Sequence, residues 1–402
     1  MNAAHKSLHN SKHKIGLLLS GGGARGAYQV GVLKAIATFY PRNHSIPFPV
    51  LCGTSAGAIN STALGCYASS FHLGVKKLDW IWRNMRTHHI YRSDLGRVSH
   101  HMFNNVTKWM RSDLYRNRPT SLLDNSPLRE LINQMVPFER LERNIANGYL
   151  HALAVTASSY ETGNSVSFYQ GHPSIEDWKR SKRESLRGVL HADHLMASSA
   201  LPLVFPAIEV RQSFYGDGSI HQLSPLSPPI HLGAEKILCI GLDSPHDKPA
   251  HGMMRHPSAS SIAGHLLDSV FSDTLDSDIE RAQRVNATLE LIPKEKLEQH
   301  DLRRIDTFLI NPSIDINKIA HRHFDEVPWA IRRLMATIGV TRQSESSLIS
   351  YLLFEKDYCK ELIEAGFNDG MAQAKELKEF LDISDVKVRA KHAQYDELAN
   401  QH

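Results

Sequence analysis

Ile15-Gly16-Leu17-Leu18-Leu19-Ser20-Gly21-Gly22-Gly23-Ala24-Arg25-Gly26 is the stretch that decides the fold, because a short apolar run passes directly into a glycine-rich turn. A short apolar run bounded by a turn is typical of a buried strand. From Ala27 to Tyr40, apolar side chains recur at three- and four-residue steps, and Pro41 follows. This spacing predicts an amphipathic helix that ends at the proline. The stretch therefore predicts a strand, a tight turn and a helix in succession.

A second strand and turn follow soon after this helix. Phe48 to Cys52 is again largely apolar, and Gly53-Thr54-Ser55-Ala56-Gly57 comes directly after it. Strand, turn and helix repeated in this order are typical of an α/β domain built on a parallel sheet. Further patterns predict strands near 149–158, 165–170 and 237–242, the first two joined as a hairpin through 161–164, and helices over roughly 71–136 and 185–200.

The chain changes character after Asp243, where a stretch rich in Pro, His and Gly is typical of a connection. Beyond it, amphipathic patterns predict helices over 317–338 and 345–381, with one strand at Thr307 to Ile310. We therefore expect a basic N-terminal tail over 1–14, a catalytic α/β domain over 15–243 and a mostly helical region over 244–402.

Composition restricts the class of protein. The 402 residues are 42% hydrophobic and 22% charged, which is typical of a globular chain. No secretory signal precedes the first strand and the four cysteines lack CxxC spacing, so a cytoplasmic location is expected. The net charge of +4 argues against a nucleic-acid partner. No acidic residue precedes Val75, however, and this cationic N-terminal part would favour peripheral contact with an anionic membrane, unless it is only a solvated tail.

The glycine turn matches the spacing G-x-G-x-x-G over residues 21–26. A dinucleotide site also needs an acidic residue about 20 positions on, and no acidic residue appears before Asp79. A nucleotide phosphate loop would end in G-K-[ST], whereas Gly26-Ala27-Tyr28 stands here. What remains is a set of backbone N–H groups at the start of a helix, which is suited to hold an oxyanion.

The pentapeptide Gly53-Thr54-Ser55-Ala56-Gly57 has the pattern G-x-S-x-G between a predicted strand and a helix. This is the setting of a nucleophile elbow, where a serine occupies a sharp turn and its close neighbours must be glycine. In α/β-hydrolases the elbow follows several strands, with Asp and His later in the chain. Here Ser55 follows the second strand, so the order differs from that fold.

Four blocks together carry a resemblance to a known family. They are the glycine turn, the early elbow at Ser55, Ala197-Ser198-Ser199-Ala200-Leu201-Pro202 and Asp217-Gly218-Ser219. In this combination the chain resembles the patatin-like phospholipases over roughly residues 14–243. The resemblance implies a three-layer α/β fold with a central, mainly parallel sheet. It also implies a Ser-Asp dyad without histidine, with Ser55 as nucleophile and Asp217 as its partner.

The resemblance also implies roles for the residues around the dyad. It places an oxyanion hole in the glycine turn and the elbow, formed by Gly21, Gly22, Gly23, Arg25, Gly26 and Ala56. Gly53, Thr54 and Gly57 would shape the elbow, with structural support from Gly218 and Pro202. Arg25 matches the basic residue that the family keeps in its glycine loop, where it either stabilises the loop or supports the oxyanion. The family usually has Asp-Gly-Gly or Asp-Gly-Ala at the fourth block, and Ser219 stands in the last position here.

Asp217 must be a stronger base than an ordinary aspartate, whose pKa of about 3.9 leaves it weakly basic. Burial beside Phe214 and Tyr215 would raise its pKa. The expected reaction is cleavage of an acyl ester of a lipid or phospholipid in lipid catabolism, with neither metal nor cofactor. Two alternatives stay open: an esterase or thioesterase for small soluble acyl substrates, and a lipid-binding regulator without catalysis. A Ser-His-Asp triad that uses His221 is a third arrangement to test against the structure.

Overall fold

The computed structural model describes residues 14–92, 121–202, 204–245, 268, 273–293, 296, 302–337, 339–342 and 347–383. The predicted tail, apart from Lys14, and the part of the predicted helical stretch over 93–120 lie outside the described residues. The strands are β1 (Ile15–Leu19), β2 (Val50–Thr54), β3 (Ala152–Ser159), β4 (Ser165–Gly171), β5 (Lys179–Arg180), β6 (Arg183–Arg187), β7 (Ile208–Val210), β8 (Ser213–Asp217), β9 (Lys236–Ile240) and β10 (Asp306–Ile310).

The α-helices that flank these strands, within the same described ranges, are α1 (Ala27–Ala37), α2 (Ala56–Cys66), α3 (Phe71–Arg83), α4 (Thr87–Ile90), α5 (Ser126–Met135), α6 (Glu139–Ala146), α7 (Ala192–Ser198), α8 (Ser227–His231), α9 (Asp273–Glu290), α10 (Ile316–Arg322), α11 (Trp329–Thr337), α12 (Leu348–Leu352), α13 (Lys356–Ala372) and α14 (Ala374–Phe380). Short 3₁₀ helices cover Gly23–Gly26, Gly218–Ile220 and Phe324–Glu326.

One mixed sheet forms the centre of the protein. Its order is β10-β9-β1-β2-β3-β4-β6-β5, and β8 pairs with β3 and carries β7. The five strands from β10 to β3 are mutually parallel, whereas β3 and β4 are antiparallel. Both faces of the parallel part are covered, since β1, β2 and β3 are buried along their whole length. This is the predicted α/β fold with a central, mainly parallel sheet between helices.

Residues after 243 share this sheet and its core. β10 extends the sheet by pairing in parallel with β9, at the position where the sequence predicted a strand. α13 packs against α1 at very short range, because a Cβ atom added to Gly31 would lie 2.1 Å from the carbonyl oxygen of Ile363. The Tyr28 hydroxyl also donates to the Asp369 carboxylate at 2.8 Å. The boundary at 243 stays a prediction, but the described residues beyond it complete the core.

Several elements match the sequence expectations and one does not. The helix after the glycine turn, the β3–β4 hairpin and the strand β9 are confirmed. The helix predicted over 185–200 is wrong in its first part, because Arg183–Arg187 forms β6 beside β4 and only Ala192–Ser198 is helical. Among the described residues, the helices are all too short or too polar to cross a membrane.

Candidate active site

The register of the sheet brings Ser55 and Asp217 to the same point. β2 ends at Thr54, which pairs with Thr156 of β3. The next residue of β3, Ala157, pairs with Asp217 at the end of β8. At this point β4 pairs with the other edge of β3. β8 therefore pairs with the same edge of β3 as β2 does, just beyond the residue at which β2 ends. Ser55, directly after β2, therefore lies beside the carboxyl end of β8.

Ser55 adopts the strained backbone of a nucleophile elbow. Its φ of 54° and ψ of −124° lie where residues with a side chain are rarely found. The flanking glycines explain how the turn closes. A Cβ atom on Gly53 would lie 2.3 Å from the carbonyl oxygen of Gly57, and one on Gly57 would lie 2.2 Å from that of Leu19. Both positions therefore require glycine, as the pattern predicted.

The glycine turn lies next to the elbow. A Cβ atom on Gly26 would lie 2.9 Å from the Cβ atom of Ala56 at the start of α2. Gly23 has a φ of +57° and begins the 3₁₀ helix that leads into α1. The first N–H groups of a helix have no partner within the helix. Two such helix starts, at Gly23 and at Ala56, thus lie side by side near Ser55.

A buried polar network holds the two helix starts together. The Asn60 side-chain amide on α2 donates to the carbonyl oxygen of Gly26 at 3.1 Å and to Gln29 at 2.9 Å. The Trp82 indole N–H donates to Asn60 at 2.8 Å, and Gln29 donates to the carbonyl oxygen of Ser20 at 2.8 Å. These partners are far apart in sequence, and no motif identified them in advance.

Two further side chains fix the elbow from the other side. The Ser55 backbone N–H donates to the Ser198 hydroxyl at 2.9 Å, which in turn donates to the Thr156 carbonyl at 2.6 Å. The Thr54 hydroxyl donates to the side-chain oxygen of Gln222 at 2.7 Å. Ser198 belongs to one of the sequence blocks that resemble the family, whereas no pattern in the sequence indicated Gln222. Both residues tie β2 to the segments around Asp217.

Asp217 is completely buried and only half satisfied. Its Oδ1 accepts a hydrogen bond from the Ser219 N–H at 2.9 Å, whereas Oδ2 has no hydrogen-bond partner among the described residues. Burial raises the pKa of the carboxyl to about 6, although the Ser219 N–H and the nearby Ser55 hydroxyl act to lower it. The unpaired oxygen of Asp217 is therefore a stronger base than that of an exposed aspartate.

Arg25, Gly21, Gly218 and Pro202 were also predicted as site residues. The Arg25 guanidinium donates to Ser350 at 2.9 Å and to Asn317 at 3.0 Å, and it lies 3.8 Å from the centre of the Tyr351 ring. The arginine side chain thus joins the glycine turn to α10 and α12. Gly218 is required because a Cβ atom there would lie 2.1 Å from the Thr156 carbonyl. Gly21 is buried just before the 3₁₀ helix, and Pro202 lies between α7 and β7.

An apolar pocket opens onto Ser55 and Asp217. Ser55, Ala56 and Asp217 line one end, and Ser199 lies among them with a buried hydroxyl that has no partner in the described residues. The rest of the lining comes from α3, α4, α5, α12 and the loop before β7, and it includes Leu78, Ile81, Trp82, Leu131, Ile132, Met135, Phe205, Leu352 and Phe354. The described lining contains no histidine, and His221 lines a different pocket, so a triad through His221 is not supported.

The sequence also matches a known protein family. The profile of the family described as "Patatin-like phospholipase" matches residues 17–230. More than half of the 402 residues are matched, and the chain therefore belongs to the patatin-like phospholipase family.

Two known proteins are similar to this chain, one in sequence and one in a solved structure. The chain is 25% identical over 236 residues to the "cGAMP-activated phospholipase" of Pseudomonas aeruginosa (strain BWHPSA011 / Pa011), and the match covers 56% of this chain. It spans only 61% of the length of that relative. Among solved structures, VipD from Legionella pneumophila aligns over 92% of this chain and 67% of its own, with 12% identity and a TM-score of 0.35. That likeness is too low to bear on the site.

Proposed function

We propose that the protein is a lipid acyl hydrolase in which Ser55 attacks the ester carbonyl and Asp217 receives its proton. One observation carries the proposal: an unpaired oxygen of a buried aspartate and a serine on a strained elbow lie together at one end of an apolar pocket. The pocket is suited to a fatty acyl chain, and the two polar groups at its end are suited to act on the ester that follows.

The first step joins Ser55 to the acyl group. The serine side chain turns toward Oδ2 of Asp217 when substrate binds, since catalytic hydrogen bonds often shorten only at that stage. The serine oxygen then bonds to the carbonyl carbon while its proton passes to the carboxylate. Backbone N–H groups of the glycine turn, together with that of Ala56, stabilise the negative oxygen. Asp217 returns the proton to the leaving alcohol.

The second step frees the enzyme. Asp217, again ionised, takes a proton from water, whose oxygen attacks the carbonyl carbon of the acyl-serine. The bond between that carbon and the Ser55 oxygen then breaks, the fatty acid leaves, and Asp217 returns the proton to the Ser55 oxygen. Arg25 supports this cycle by fixing the glycine turn through Ser350 and Asn317, rather than by direct contact with the substrate. All these steps use side chains and N–H groups of the chain itself.

Phospholipid is the preferred substrate class in this proposal. The lining of the pocket is almost wholly apolar, which matches an acyl chain and gives little to a short polar ester. The family and the printed name of the Pseudomonas aeruginosa relative support the same choice. The enzyme would act at the surface of a membrane without crossing it, with its basic residues favouring an anionic surface. Nucleic acid has no part in the proposal.

The test compares vesicle lipid with a small ester. Fatty-acid release is measured from phosphatidylcholine and phosphatidylglycerol vesicles, and p-nitrophenyl acetate is hydrolysed in parallel. Because the relative is named as cGAMP-activated, each assay is run with and without cGAMP. Ser55→Ala is the inactive reference, and Ser61→Ala is its matched control, since Ser61 lies on the same helix and its hydroxyl bonds, among the described residues, only to the carbonyl of Ala58.

Each outcome separates the alternatives. Vesicle hydrolysis that Ser55→Ala abolishes and Ser61→Ala retains supports the phospholipase. Hydrolysis of p-nitrophenyl acetate alone supports the esterase for small acyl substrates. Absence of both activities under all conditions, with saturable vesicle binding, contradicts catalysis and supports the lipid-binding regulator.

A further inference from the structure

A second pocket differs in chemistry from the apolar pocket beside Ser55 and Asp217. Three cationic residues, Lys182, Arg183 and Arg281, line it together with five serines. Among its described lining residues there is no carboxylate. It lies between the turn that joins β5 to β6, the segment after Asp217 and the helix α9. Its lining is therefore cationic and rich in hydroxyl groups.

Unpaired polar atoms concentrate in this pocket. Arg183 Nε, Ser227 Oγ and His221 Nδ1 are buried and have no hydrogen-bond partner in the part of the chain that the structure describes. Ser227 is only 7% exposed, so bulk water does not satisfy its hydroxyl. Buried polar groups are normally paired, because leaving them unpaired costs free energy. All three lie on residues that line the same cavity, which points to a ligand that supplies acceptor oxygens.

The cations are held in place for such a ligand. Arg183 and Arg281 both donate to the Ser224 hydroxyl, at 3.1 and 3.3 Å. The carboxylate of Asp278 forms an ion pair with Arg281 at 3.2 Å and accepts a hydrogen bond from the Leu226 N–H at 2.9 Å. Among the described residues that line the pocket or pair with its cations, one negative charge faces three positive ones, and an anionic ligand would balance the excess.

We propose that this pocket binds a small ligand that carries a phosphate group. Phosphate offers several acceptor oxygens and more than one negative charge, which matches two arginines, a lysine and serine hydroxyls better than a single carboxylate does. The remaining serines suit a hydroxyl-bearing body such as glycerol. Both a soluble phosphate ester and a lipid headgroup carry this chemistry.

The position of the pocket links it to the dyad through one short segment. Asp217 begins the segment, Gln222 within it accepts a hydrogen bond from Thr54 beside Ser55, and Ser224 at its end holds the two arginines. A phosphate in the pocket therefore contacts the same segment that positions the catalytic aspartate. The proposal itself concerns binding and does not depend on hydrolysis.

Binding is measured by titration calorimetry on the full chain at constant ionic strength. The probes are sn-glycerol 3-phosphate, its uncharged counterpart glycerol, and a short-chain phosphatidic acid whose ether-linked chains resist hydrolysis. Lys182→Gln combined with Arg281→Gln removes two cations from exposed or turn positions, where the fold is expected to tolerate the change. Arg284→Gln is the matched control, because Arg284 lies on the same helix, is exposed and does not line the pocket.

We expect a phosphate probe to bind saturably, glycerol not to bind, and the double variant to weaken binding about tenfold or more, since each lost charged hydrogen bond is worth about one such factor. The Arg284→Gln variant should bind as the wild type does. Binding of glycerol phosphate identifies a soluble ester as sufficient, and binding of the phosphatidic acid alone identifies a lipid headgroup. Absence of binding by both phosphate probes, or equal affinity in the double variant and the control, would overturn the proposal.

Discussion

The hydroxyl of Ser198 accepts a hydrogen bond from the backbone N–H of Ser55 at 2.9 Å and so fixes the strained turn that carries the proposed nucleophile. Because that hydroxyl also donates to the Thr156 carbonyl, its direction is set by β3. The adjacent Ser199 has a hydroxyl that is buried without a partner. Ser198 therefore stabilises the elbow through a hydrogen bond, whereas the Ser199 hydroxyl makes none among the described residues.

Ser198→Ala should lower both stability and rate. It leaves the Ser55 N–H buried and unpaired, which costs about 1–3 kcal/mol in the free energy of unfolding. Displacement of the nucleophile should reduce kcat by about 10- to 100-fold. Denaturant unfolding and ester hydrolysis measure the two effects. Ser199→Ala is the matched control and should leave stability unchanged or slightly higher; equal losses in both variants would refute the role given to Ser198.

The rate of hydrolysis should depend on the ionisation of Asp217. Burial raises the pKa of this carboxyl to about 6, and only the ionised form accepts the proton of Ser55. The value of kcat/KM should therefore fall as the pH drops through about 6. A pH profile with a soluble p-nitrophenyl ester measures this limb directly. A limb near pH 4 instead would show that the base is an ordinary, solvated carboxylate.

The same pKa predicts that the buried carboxylate of Asp217 lowers stability at neutral pH. Since the folded-state pKa lies above the unfolded-state value, the contribution of Asp217 to stability is fully present below the unfolded pKa and is lost as the pH rises through about 6. A shift from 3.8 to about 6 corresponds to roughly 3 kcal/mol. Asp217→Asn should be inactive yet more stable than the wild type at pH 8, and this difference should shrink toward pH 4. Denaturant unfolding at both pH values tests it, and an Asn variant that is less stable at pH 8 would be inconsistent with a costly buried charge.

Acyl-chain length should be limited by the pocket. Met135 lines it from α5, so Met135→Trp fills space that a long acyl chain needs. We expect kcat/KM for a decanoyl ester to fall about 10- to 100-fold, with under about threefold change for an acetyl ester. Met371→Trp, at an exposed position on α13 outside the pocket, is the control. Equal losses on both esters would place the acyl chain elsewhere.

The local sequence pattern predicted the sharp turn at Ser55, which the structure contains. A strand followed by G-x-S-x-G favours a sharp turn at the serine, because Gly53 and Gly57 face backbone atoms at distances that exclude any side chain. Asp217 was found only through the resemblance to a family. It ends a short strand, and its position beside Ser55 depends on pairing with β3, which is distant in sequence.

Other features depend on tertiary contacts that leave no local pattern. Asn60 and Gln222 are ordinary polar residues in the sequence, and their buried hydrogen bonds to Gly26 and Thr54 appear only in the folded chain. Arg183–Arg187 lacks a clear alternation of apolar and polar residues, and it becomes a strand because β4 offers a parallel partner. Contacts between distant segments therefore determine these hydrogen bonds and this strand, and the periodicity of the sequence does not reveal such contacts.

Covalent labelling by a fluorophosphonate tests the central claim most directly, since the reagent bonds to an activated serine and releases fluoride. Intact mass and peptide mapping should show one label on Ser55 in the wild type, none in Ser55→Ala, and labelling slowed about 100-fold or more in Asp217→Asn. Ser61→Ala, on α2 and outside the pocket lining, should be labelled on Ser55 as the wild type is. Labelling of Ser55→Ala at the wild-type rate, or of Asp217→Asn without any delay, would contradict the Ser55–Asp217 dyad.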